Sequence, residues 1–76
     1  MNRRWSIYQE VQYELVRQGI APDAAAEAAR LADLAVRNRR DACIRAGKVA
    51  GLGVRKMARI WGVSHVQILR ITGGGT

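Results

Sequence analysis

The chain is short of covalent staples. Its 76 residues hold a single cysteine, Cys43, so no disulfide closes within one copy. Cys43 and the lone His65 stand apart and form no cluster with the spacing that holds zinc, so neither a metal nor a cofactor is expected. Acids are few and dispersed: Glu10, Glu14, Asp23, Glu27, Asp33 and Asp41. No Ser-His-Asp triad or carboxylate pair can be assembled from them, so no catalytic residue is assigned and the chain is read as not an enzyme. Long apolar runs are missing too. No stretch approaches the roughly 20 apolar residues that cross a bilayer. Met1 to Trp5 is not followed by the apolar stretch of a secretory signal. With one free cysteine, these absences point to the cytoplasm and away from a membrane. No convincing strand and no internal repeat is seen. Beyond Asp41 the chain has no acid at all.

What is present suits a globular protein: hydrophobic residues make up 49% and charged residues 25%. A chain this short is one domain at most and buries only about 60% of its unfolded surface. Small domains without staples often gain stability by oligomerising, so a homodimer is expected.

Apolar residues Ile7, Tyr8, Val11 and Leu15 recur at helical spacing, with Ser6 as N-cap and Gly19 as stop. This predicts a helix over 6–18. Pro22 and Asp23 suit a first turn. The alanine-rich run that follows is among the best helix formers, and helical propensity continues to about Ala50. A single helix of that length would be about 43 Å long, too long for so small a domain. Asn38 can cap a new helix, supported by Asp41, so the reading is two helices, 22–37 and 39–50. Gly51-Leu52-Gly53 reads as a turn. Two short helices follow, 54–61 and 65–72, and 73–76 reads as a frayed tail. The expected fold is all-α: 1–37 as N-terminal helices forming the dimerisation region, then 38–72 ending in a helix-turn-helix. Ile7, Val11, Leu15, Leu31, Leu34 and the alanines are the apolar surface expected to join two copies.

Charge is uneven. Residues 1–41 carry seven basic and six acidic side chains, whereas 42–76 carry Arg45, Lys48, Arg55, Lys56, Arg59 and Arg70 against no acid. Such one-sided excess attracts polyanions. The segment 54–72 shows where the charge is used. Two short helices that cross steeply need a small residue where they touch, and Ala58 supplies it. The turn needs a residue tolerant of positive φ, Gly62. Val63 plugs the turn, Ser64 caps the second helix, and Gln67 closes a capping box with it. Met57, Ala58 and Trp61 face Ile68 and Ile71 inside.

The residues left outside suit double-stranded DNA. Arg55, Lys56 and Arg59 are expected on phosphates. Arg70 is the candidate guanine reader, with His65 and Gln67 in the turn that enters the major groove first. Val66 can meet a thymine methyl. Ser64 is a cap first and a phosphate contact second. Trp61 is read as core, not as a stacking platform, and Cys43 as a small buried residue. Arg3 and Arg4 are a candidate minor-groove arm.

The runs Arg40-Asp41-Ala42-Cys43-Ile44-Arg45, Gly51-Leu52-Gly53 and Met57-Ala58-Arg59-Ile60-Trp61-Gly62-Val63-Ser64 resemble the C-terminal DNA-binding region of the middle-operon and late transcription activators of Mu-like phages, the Mor/C family. The resemblance covers residues 38–72, and recombinase helix-turn-helix domains share many of its features. It implies a dimer on a two-fold DNA site, regulating transcription, with RNA polymerase as a possible partner. The family's longer N-terminal dimerisation region includes a β-strand, whereas residues 1–37 here read as helical. Two other classes remain open: a basic interaction module inhibiting a nucleic-acid-handling protein, and an accessory factor of DNA recombination.

Overall fold

The structure, a computed structural model, describes residues 6–36 and 38–73. Five helices follow one another: α1 Ile7–Arg17, α2 Pro22–Leu31, α3 Arg39–Val49, α4 Val54–Trp61 and α5 His65–Thr72. No strand occurs among the described residues. None of these helices is long and apolar enough to cross a membrane.

Helix α1 starts on a full capping box. The Ser6 hydroxyl accepts from the Gln9 N–H at 3.2 Å, and the Ser6 N–H donates to the Gln9 side chain at 3.0 Å. Its end closes with Ile20 N–H on the Leu15 carbonyl and Gly19 N–H on the Val16 carbonyl. Helix α3 starts at Asn38, whose side chain accepts from the N–H groups of Arg40 and Asp41. The Asp41 carboxylate does not reach back to that cap; it pairs with Arg40 at 3.2 Å. Ion pairing holds α3 to α1, since Arg39 meets Glu10 at 3.0 Å and Glu14 at 3.6 Å.

The second helix is shorter than its composition suggests. It ends at Leu31 rather than at 37, and Asp33 takes a left-handed conformation with φ 53°. Two tertiary contacts override the alanine-rich propensity. Leu34 is buried in the core, which requires the chain to turn there. The Arg45 guanidinium reaches from α3 to the Ala32 and Asp33 carbonyls, both at 3.4 Å, placing positive charge at the negative end of the α2 dipole.

The core forms two clusters that share α3. The first joins Val11 and Leu15 of α1, Ala25, Ala28 and Ala29 of α2, Ala32, Leu34, and Ala42, Cys43 and Ala46 of α3. Its many alanines let the helices approach closely. The second joins Ile44, Met57, Ala58 and Ile68, with Leu52, Val54, Trp61, Val63 and Ile71 packed around them. The backbones of α1 and α2 pack on each other and on α3, as do those of α4 and α5. Gly47 sits where the clusters meet: a Cβ there would lie 3.0 Å from Met57 Sδ and 3.2 Å from Leu52 Cδ1.

The apolar surface expected to join two copies is largely spent within one chain. Val11, Leu15, Leu34 and the alanines Ala25, Ala28 and Ala29 are buried in the first cluster. Of the expected set, Leu31, Ala24, Ala26 and Ala35 stay exposed, and Ile7 is half-buried.

Candidate nucleic-acid interface

Helices α4 and α5 are joined by Gly62, Val63 and Ser64. The turn is built as its residues require. Gly62 adopts φ 66°, a left-handed conformation that a side chain disfavours. Its N–H and that of Val63 both donate to the Ala58 carbonyl. Val63 thereby tucks against the second cluster. The Ser64 hydroxyl then accepts from the Gln67 N–H at 3.1 Å and starts α5. The reciprocal bond from the Gln67 side chain is not formed, so the expected capping box is half made.

Inward positions fall where the pattern put them. Met57 and Ile68 are fully buried, Ala58 nearly so, and Trp61 and Ile71 pack partly buried beside them. Trp61 bridges both clusters, and its indole Nε1 is shielded from solvent without a hydrogen-bond partner. It serves as core.

Outward, Arg55, Lys56, Arg59, Ser64, His65, Val66 and Arg70 are all exposed, whereas Gln67 is half-buried. Arg55 and Arg59, one turn apart on α4, share an open groove of about 710 Å³ with Ala58, Val63, Ser64, His65 and Val66. One side is therefore lined by two arginines and Ala58 of α4. The other is the first turn of α5, where backbone N–H groups and the positive end of the helix dipole favour an anion. Val66, 60% exposed, adds an apolar surface at the groove. Lys56, Gln67 and Arg70 do not line it. Arg3 and Arg4 lie outside the described residues.

The cations here have no counter-ions. Ion pairs among the described residues join Arg17, Arg30, Arg39 and Arg40 to acids of α1–α3. Arg55, Lys56, Arg59 and Arg70 are in none of them. Arg45, counted with this charge from the sequence, is drawn to the end of α2 instead.

Cys43 is buried 2% exposed in the first cluster, and burial pushes its thiol up to about 11, opposite to an activated nucleophile. No group of three metal-ligating side chains occurs among the described residues. No family model matches the chain, and no curated protein and no solved structure matches it.

Proposed function

We propose that the chain is a sequence-specific double-stranded DNA-binding regulator of transcription, that α4 and α5 act as its helix-turn-helix, and that it works as a homodimer. The observation that carries this reading is the groove between Arg55, Arg59 and the start of α5, set among cations that no acid neutralises. A duplex backbone supplies what that groove lacks: closely spaced anions. In this reading α5 enters the major groove, with His65, Val66 and Arg70 toward base edges. Arg55, Lys56 and Arg59 of α4 meet phosphates, and Ser64 adds a neutral donor. Gln67, half-buried, has less reach than the others. The resemblance of residues 38–72 to phage activators supports the same assignment.

Titration of random duplex and of a duplex selected from a random pool tests it. A dimer making about six to ten phosphate contacts loses roughly a thousandfold or more in affinity between about 50 and 200 mM salt. Absence of duplex binding at low salt, or binding insensitive to salt, overturns the reading.

A further inference from the structure

A second groove lies away from the cationic one. Leu31 and Val49 are 57% and 45% exposed, and both line a cleft of about 280 Å³ with Ala32, Arg45, Lys48 and Thr72. The two grooves share no residue. Ser64 to Val66 bound the first at the start of α5, and Thr72 bounds the second at its end. Six residue steps of α5, from Val66 to Thr72, separate them by about 9 Å along the axis.

The chemistry of this cleft is specific. Leucine, valine and alanine form an apolar centre. Two cations flank it: Lys48 is exposed, and Arg45 is half-buried with its Nη2 on the Ala32 and Asp33 carbonyls, where no carboxylate offsets its charge. Asp33 follows Ala32, but its side chain does not line the cleft, and no acid does. A nucleic-acid backbone would satisfy the cations and leave Leu31 and Val49 uncovered. An apolar membrane or core would cover the leucine and leave the cations unmatched. The complement is an amphipathic segment with apolar side chains flanked by carboxylates.

We propose that this cleft is a docking site for an acidic amphipathic segment of a partner protein, usable while the α4–α5 groove is occupied. A second copy of the chain fits less well. The exposed acids of α2, Asp23 and Glu27, stand among alanines, and Glu27 is already paired with Arg30 at 2.6 Å.

The test uses the full chain and a short fluorescein-labelled peptide with leucines at i, i+3 and i+4 among glutamates. Controls replace every glutamate by lysine or every leucine by serine. Amide shifts in NMR locate the bound peptide. The expected result is saturable binding of the Leu/Glu peptide only, with shifts at Leu31, Ala32, Val49 and Thr72. Leu31→Asp and Lys48→Glu each weaken it about tenfold or more, a loss of about 1.4 kcal/mol. Arg55→Ala leaves it unchanged. Both lost side chains are exposed, so the variants keep the fold, as circular dichroism checks. Shifts at Arg55, Arg59 and His65 instead, or no binding, overturn the proposal. So does sedimentation showing a dimer that Leu31→Asp dissociates, because the cleft is then covered by a second copy. The duplex-binding reading stands or falls separately, since no arm of this test uses DNA.

Discussion

Cys43 and Gly47 lie one turn apart on α3 and show how little room the core has. The Cys43 thiol is held neutral by burial, its folded value near 11 against an ordinary 9.0. The group therefore contributes stability fully below about pH 9, where both states keep the proton. As pH rises through 9 toward 11 the unfolded chain releases the proton first and that contribution is lost. Two units correspond to roughly 2–3 kcal/mol. Denaturant unfolding of the wild type and Cys43→Ala across this range should show the wild type losing more stability than the variant. Parallel curves would mean that the thiol is not desolvated. Gly47 gives a steric counterpart. A valine there would push γ carbons against Met57 and Leu52, the side chains nearest the added Cβ. Overpacking of this kind costs about 1–3 kcal/mol, more than the helix-propensity gain on leaving glycine. A Gly47→Val variant as stable as wild type would show that the cluster junction is looser than the geometry implies.

Helices α4 and α5 were readable residue by residue because their determinants are local. Ala58, Gly62, Val63 and Ser64 act within one turn of themselves, and Ile68 and Ile71 were legible from their helical spacing although Ile68 packs against Ile44 of α3. The end of α2 was not readable for the opposite reason. Asp33 is only a weak local signal, a poor helix former that tolerates the left-handed region; the break comes mainly from Leu34 entering the core of α1, α2 and α3, and from Arg45 reaching back from thirteen residues downstream. The same long-range packing hid the fate of Val11 and Leu15, whose partners are distant in sequence. The break has a mutational signature. In a helix continuing to 37, Leu31 and Leu34 would share one face at i,i+3 and matter about equally. In the observed fold Leu34 is buried and Leu31 exposed. Leu34→Ala should therefore cost about 2–5 kcal/mol by denaturant unfolding, and Leu31→Ala less than about 0.5 kcal/mol. Equal costs would restore the continuous helix.

Across the described residues, the ion pairs fall in α1–α3, whereas Arg55, Lys56, Arg59 and Arg70 of the acid-free half enter none. That division was visible in composition, but the sharing of the groove was not. Sequence reading grouped Arg55, Lys56 and Arg59 together as phosphate contacts and set Arg70 apart as a base reader, whereas packing of α5 on α4 brings Arg55 and Arg59 to a groove that Lys56 and Arg70 do not line. On the proposed reading, the two arginines have separable roles. Arg59 lines an open groove beside the start of α5, and Arg70 lies outside it, one turn beyond Val66. Removing a base-reading side chain costs about 1–3 kcal/mol on the preferred site and relaxes the preference at one base pair. Removing a phosphate contact weakens all sequences alike and lowers the salt slope by about one unit per contact. Arg70→Ala should accordingly lower the ratio of specific to random affinity, while Arg59→Ala should lower both affinities together and flatten the salt dependence. In a dimer each change acts twice, so the losses are larger. Both side chains are exposed and unpaired, so neither variant should shift the melting temperature by more than a few degrees. Specific and random titrations of the two variants, each at several salt concentrations, read all of these quantities. An unchanged specificity ratio for Arg70→Ala would remove Arg70 from the reading helix, and an unchanged salt slope for Arg59→Ala would take the phosphate out of the groove.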